Sequence, residues 1–204
     1  MKNYIQYNQQ LFSRWAPIYD GFELLLYGVR KSICQEIDSN NKTILDVATG
    51  TGSLAIALSR DAKEVVGIDL SEEMLAVANK KKVGNNLSFF AMDASKMTIQ
   101  DNTFDIVTIS LGLHDMPLDI RTLVLKEVRR VLKKGGKLYI LEYDLPQNEL
   151  LGAISSRFIN TFESKYYLPF VQNDFAHYLQ SNGFTIEKKT NYLMDHLQFL
   201  TLTC

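Results

Sequence analysis

From Thr43 onward, short apolar runs rich in β-branched residues alternate with longer segments whose apolar residues recur at three- and four-residue spacing. The short runs suit strands and the longer segments amphipathic helices, so the alternation predicts βαβ units around a mainly parallel sheet. Five strands are expected, at Thr43–Val47, Glu64–Ile68, Leu87–Ala91, Phe104–Ser110 and Lys137–Glu142. Helices are expected over Ser53–Arg60, Glu72–Lys82 and Ile120–Lys133, the last closed by a left-handed cap at Gly135-Gly136. Beyond Pro146 the order changes to a long helical segment from Glu149 to about Lys165, a shorter one over Asn173–Ser181, and two strand-like runs, Thr185–Lys189 and His196–Thr203. Little chain separates those two runs, so they should pair antiparallel at a sheet edge. Before Thr43, Leu25, Val29, Ile33 and Ile37 repeat every four residues, and Tyr4, Tyr7, Leu11 and Trp15 form an earlier stripe.

The pattern therefore reads as an α/β chain with a Rossmann-like, doubly wound, seven-stranded sheet, mostly parallel with an antiparallel last strand, beneath an N-terminal helical cap. The expected parts are a helical cap or lid (1–42), a ligand-binding core (43–147), and acceptor-side helices with a C-terminal β-hairpin (148–204). With no linker or repeat among its 204 residues, the chain should form one domain.

Charge narrows the partners. Lys and Arg number 22 against 23 Asp and Glu, for a net charge of -1, and no basic stripe exceeds Lys80-Lys81-Lys82 at the end of an expected helix. Nucleic acid is not an expected partner. The two cysteines, Cys34 and Cys204, have no neighbouring Cys or His to suggest a disulfide or metal site, so no metal is expected. No apolar run is long enough to span a bilayer and the N-terminus does not read as a signal peptide, which makes a cytoplasmic protein the expectation. Transient contact with a membrane surface is compatible with that.

The chemistry starts at ILDVATGTGSLAIAL, residues 44–58, where a strand runs through a glycine turn into a helix. Gly50 and Gly52 allow close backbone approach to a ligand, and helix-start amides favour a nucleotide-like group. The GTGSLA stretch alone also satisfies a dinucleotide fingerprint. Asp46 argues against that alternative. An acid four residues before the first glycine repels a pyrophosphate and attracts a cation, which suits S-adenosylmethionine, a sulfonium compound with an ammonium group and no phosphate. Asp69, 17 residues after Gly52, can take both ribose hydroxyls. Asp93, after the third strand, can accept from an adenine amino group while the Ala94 amide donates to the ring.

As an ordered set, LDVATGTG, GIDLSEEML, MDAS, FDIVTISLGL and EVRRVLKKGGKLYILEYDLP resemble the class I S-adenosylmethionine-dependent methyltransferases, and within them the ubiquinone and menaquinone C-methyltransferase branch with its relatives of unassigned substrate. The resemblance covers about residues 43–147. It implies Asp46, Ala48, Gly50 and Gly52 around the methionine part, Leu70 and Met74 flanking adenine, and a carbonyl of Ser110 or Leu111 for the ammonium. The segment RWAPIYD, residues 14–20, is similar to one in this branch and in bacterial phospholipid N-methyltransferases, which implies Tyr19 near the sulfonium.

Quinone-methylating members usually carry Gly-Leu-Arg-Asn after the fourth strand, whereas residues 112–115 here read Gly-Leu-His-Asp. A His114-Asp115 pair facing the methyl group could deprotonate a phenol or an amine. His177 and His196 read as structural. Aromatic residues Tyr4, Tyr7, Phe12, Trp15, Tyr19 and Phe22 before the core, and Phe158, Phe162, Tyr166, Tyr167 and Phe170 after it, suggest a bulky apolar acceptor between two aromatic segments. The expected function is methyl transfer from S-adenosylmethionine to a small or lipid-like apolar acceptor, quinone-type or phospholipid-type, by in-line displacement. The competing readings are a non-catalytic S-adenosylmethionine-binding module and a nicotinamide-dependent oxidoreductase.

Overall fold

The computed structural model describes residues 26–146 and 164–204, together with Tyr7, Gly152, Arg157 and Ile159. Helix α1 (Tyr27–Glu36) precedes β1 (Thr43–Val47), α2 (Ser53–Leu58), β2 (Glu64–Asp69), α3 (Glu72–Lys81), β3 (Leu87–Ala91) and β4 (Phe104–Ser110). A 3-10 turn (Leu113–Asp115) leads into α4 (Leu118–Val131), β5 (Leu132–Tyr143), α5 (Tyr167–Val171), α6 (Phe175–Ser181), β6 (Thr185–Tyr192) and β7 (Leu197–Thr203).

The seven strands form one sheet in the order β3-β2-β1-β4-β5-β7-β6. Pairing is parallel from β3 across to β5, while β7 runs antiparallel to both β5 and β6. This is the expected Rossmann-like sheet, with one refinement: β7 is inserted between β5 and β6, so of the last two strands β6 alone lies at an edge. The order reverses between β1 and β4, and in such sheets the carboxyl ends of the strands at that switch point open a ligand crevice.

Strand β1 shows why both faces are covered. Ile44 packs with Val29 and Ile33 of α1 and Leu54 of α2 in one buried cluster, whereas Leu45 and Val47 join Val124, Leu125 and Val128 of α4 in the other. Alternating residues thus serve opposite layers, as the two-residue period of a strand requires. Helix α3 is secured at its ends: the Ser71 hydroxyl accepts from Met74 N, Glu72 and Glu73 occupy the first turn, and Lys80 and Lys81 the last.

The expected glycine cap after residue 133 is corrected. Helix α4 ends at Val131 and the chain enters β5 at Leu132, which pairs with Phe104, while Lys137 pairs with Ile106. The extra residues form a bulge in which Gly135 takes φ +77°. A side chain on Gly136 would stand 2.9 Å from the Lys133 carbonyl oxygen and 3.0 Å from that of Asp105. The glycine pair therefore bends a strand against its neighbour. The expected helix from Glu149 and the Tyr4, Leu11 and Trp15 stripe lie outside the described residues, apart from Tyr7 and isolated positions. No helix among the described residues is long and apolar enough to cross a membrane.

Candidate active site

A crevice opens at the ends of β1, β2 and β4, with about 870 Å³ of empty space counting the open solvent at its mouth. Of the four acids along it, three follow the first strands: Asp46 in β1, Asp69 at the end of β2 and Asp93 after β3, the fourth being Asp115. Asp46 is buried, and its two oxygens accept from Thr108 Oγ1 and Thr49 Oγ1, each at 2.6 Å. Burial pushes its carboxyl up to about 6, against the pull of those hydroxyls and of the Arg30 guanidinium. A carboxyl so placed is a strong partner for a cation.

Asp69 joins two turns. Its Oδ2 accepts from Gly50 N at 2.8 Å and its Oδ1 from Ser71 N at 2.9 Å, so the carboxylate ties the turn after β1 to the start of α3. Burial raises this carboxyl too, and the backbone N–H groups of Ser71, Gly50 and Leu70 draw it back. Each oxygen keeps lone-pair capacity toward the crevice. Asp93 Oδ1 accepts from Ser95 N at 2.9 Å and Ser95 Oγ at 2.7 Å. Its Oδ2 is buried without a hydrogen bond, with Lys96 Nζ 3.5 Å away on a largely exposed side chain. An orphaned acceptor beside a cavity fits a ligand amine.

Two backbone positions shape the crevice floor. Ala48 and Leu111, just past the ends of β1 and β4, both lie in the left-handed region, at φ 54° and 53°. Non-glycine residues adopt it at a cost, typically where function holds them there. Gly112 meets Ala48 directly: a Cβ on Gly112 would lie 2.8 Å from the Ala48 Cβ.

Of the residues singled out in the sequence, Asp46, Ala48, Gly50, Asp69, Leu70, Met74, Asp93, Ala94, Ser110, Leu111 and Asp115 all line this crevice. Gly52 does not. It begins α2 at φ +77°, and a Cβ there would stand 2.6 Å from the Phe89 ring and 2.9 Å from the Ala78 methyl, so packing against β3 and α3 by itself requires a glycine. Tyr19 lies outside the described residues. The expectation that His114 faces the crevice is also corrected: it turns into the protein. His114 Nδ1 lies 2.8 Å from Glu142 Oε2 in β5, and the ring stands edge-on to Tyr143, Tyr167 and Phe170. Asp115, beside it, reaches the crevice instead, with Oδ2 3.4 Å from His114 Nε2.

Sequence reasoning missed Arg30, Thr49, Ser53, Met92, Ser95, Met116, Ile120 and Val124, which also line the crevice. For Arg30 a signal existed, a cation beside the apolar Val29 and Ile33 positions of α1; the Asp46–Thr108 pair required the strand register. Glu142, wholly buried, was legible only as part of a strand.

The model of the ubiE/COQ5 methyltransferase family matches residues 16–196. The chain belongs to that family. A demethylmenaquinone methyltransferase of Lactobacillus johnsonii is 38% identical over 154 residues, 69% of this chain and 62% of that protein. The chain thus spans less than two thirds of that relative's length. One of Thermotoga maritima is 36% identical over 177 residues, 82% of this chain and 73% of that protein. Among solved structures, an S-adenosylmethionine-dependent methyltransferase of Aquifex aeolicus superposes with a TM-score of 0.62 at 21% identity, covering 85% of this chain and 88% of that one, a likeness of fold. As a member of the ubiE/COQ5 methyltransferase family, the protein is an S-adenosylmethionine-dependent methyltransferase. The orphaned Asp93 oxygen and the buried Asp46 carboxyl fit that cofactor's amines.

Proposed function

We propose that this methyltransferase alkylates a ring carbon of a reduced, quinone-type acceptor. The observation that carries the reading is the division of the crevice: its β1–β3 side presents Asp46, Asp69 and Asp93, whereas beyond β4 its wall is Met116, Ile120 and Val124 around one acid, Asp115. A polar cofactor and an apolar acceptor would each find a matching half. The named activity of the Lactobacillus and Thermotoga relatives supports the same acceptor class. The two aromatic segments also meet: Tyr7 stands edge-on to Tyr166 with ring centroids 6.0 Å apart, and Lys165 Nζ lies 4.8 Å from the Tyr7 centroid.

In this reading Asp46 holds the ammonium of the cofactor's amino acid and Arg30 its carboxylate. Asp69 takes the ribose hydroxyls, Asp93 and Ala94 the adenine edge, and Leu70 and Met74 the adenine faces. A carbonyl of Ser110 or Leu111 also serves the ammonium, and the resemblance of residues 14–20 assigns Tyr19 to the sulfonium. S-adenosylmethionine supplies a methyl already activated by positive sulfur, so the protein's work is alignment, exclusion of water and management of one proton.

The test is incubation with methyl-labelled S-adenosylmethionine and a reduced naphthoquinone lacking its ring methyl. Label recovered in the organic phase on the ring carbon is the expected result. Failure with this acceptor, together with label in the aqueous phase when a whole-cell extract is supplied, would refute the acceptor class.

A further inference from the structure

We propose that Glu142, His114 and Asp115 form a proton relay in which Asp115 is the catalytic residue at the crevice wall and the other two stand behind it as positioning residues. The inference rests on the quinone-type reading above and assigns the base that reading needs. The three side chains are 0%, 3% and 5% exposed and come from two elements, β5 and the turn after β4. Burying two carboxylates and an imidazole together costs solvation, so the cluster calls for a purpose beyond packing.

The hydrogen bonds set direction. Glu142 Oε1 accepts from Leu113 N at 2.6 Å, which holds the turn, and Oε2 lies 2.8 Å from His114 Nδ1, which orients the ring. The ring's other nitrogen, Nε2, lies 3.4 Å from Asp115 Oδ2, within reach of a proton passed from that carboxyl. Arg121 braces the turn by donating from Nε to the Leu113 carbonyl and from Nη2 to the Met116 carbonyl. The groups facing the imidazole are thus Glu142 and Tyr143 from β5, Asp115 from its own turn and Tyr167 from α5, with Arg121 of α4 bonded to the turn itself.

The proton path balances. The acceptor hydroxyl gives its proton to Asp115, which passes it to His114 Nε2, and the resulting imidazolium is held by Glu142. The electron pair left on the acceptor forms the new carbon–carbon bond to the methyl as the sulfur–methyl bond breaks, leaving a neutral thioether. The ring-carbon proton then returns to oxygen and restores the hydroxyl, so one proton is released overall, and it leaves through Asp115 after product departs.

The experiment compares the wild type with Asp115→Asn and Glu142→Gln in three readouts. These are the pH–rate profile of methyl transfer, S-adenosylmethionine affinity by calorimetry, and the pH titration of the His114 ring by 15N NMR in ligand-free protein. Asp115→Asn should lose about a hundredfold or more in rate near pH 7, the usual scale for a general base. Its affinity for S-adenosylmethionine should stay within about twofold, the mark of a folded cofactor site. Glu142→Gln keeps an acceptor for Leu113 N but should displace the pH–rate profile without raising KM for the acceptor. Both substitutions should move the His114 titration. Wild-type rates for Asp115→Asn across the pH range, or a ring titration that neither substitution moves, would overturn the relay. Wild-type protein inactive toward every reduced quinone, with the ring titration still moved by both carboxylates, would refute the acceptor while supporting the coupled cluster.

Discussion

Thr108 donates its hydroxyl to Asp46 Oδ1 over 2.6 Å, and the two residues stand directly opposite each other in the β1–β4 ladder. The bond crosses the switch point of the sheet and aims a buried acid at the crevice. It leads to a pH prediction. Because burial holds Asp46 near 6 in the folded protein against 3.8 ordinarily, the folded state keeps a proton that the unfolded chain releases between those values. Stability should therefore fall as pH rises from about 4 to 6 and level off above, with about 3 kcal/mol at stake. Cofactor affinity should run the other way, rising through about pH 6 as the carboxylate ionises and attracts the ammonium. Thermal unfolding and calorimetric titration at pH 5 and 7.5 check both signs, and Asp46→Asn should flatten both curves.

At the other end of the crevice, Asp93 Oδ2 is the acceptor to probe. Asp93→Ala should weaken binding of S-adenosylhomocysteine by about tenfold or more, on the scale of one charge-assisted hydrogen bond. Binding of the inosine analogue, which lacks the exocyclic amine, should change little. Equal losses for both ligands would mean that Asp93 acts only by ordering the Ser95 turn.

Asp69→Ala tests a double duty. It removes the acceptor for Gly50 N as well as the proposed ribose contact, so affinity should fall about ten- to hundredfold and the midpoint of thermal unfolding should drop with it. Asp69→Asn retains an acceptor oxygen and should recover part of the stability but little of the affinity.

Cys34 should be slow to react. Burial pushes its thiol up to about 11, leaving little thiolate at pH 8, while Cys204 is exposed. Brief treatment with iodoacetamide should give one adduct, at Cys204, by peptide mass spectrometry. Equal labelling of both would show α1 opening away from the sheet.

Much of this was legible because it is local. The near-continuous apolar run of β1, buried on both faces, and the acid-rich first turn of α3 are written in adjacent residues, and so were the positions of Asp46, Asp69 and Asp93 at strand ends. The illegible part needed tertiary distance. His114 follows a strand whose end opens on the crevice, yet Glu142, 28 residues on, draws its ring inward and leaves Asp115 at the wall. Gly135 and Gly136 carry the composition of a helix stop, but parallel pairing of Leu132 with Phe104 claims them for a strand. Gly52 reads as a ligand-contact glycine in the sequence, and the ring of Phe89, from the strand at the far edge, adds a packing reason for it that only the fold reveals.

The contact between Gly112 and Ala48 bears on how this crevice could be reshaped. Gly112→Ala should cost about 1–3 kcal/mol through overpacking, and Ala48→Gly, which removes the opposing methyl and relieves a left-handed alanine, should restore it. One methyl and one missing methyl thus act as a key between the turn that serves the cofactor and the turn that opens the acceptor side. A loop transplanted from another enzyme after β4 would be accepted only if it brought its own glycine at that point. Laboratory evolution toward new acceptors should consequently accumulate its changes from Met116 onward and leave residues 111–112 as the fixed hinge pin of the graft.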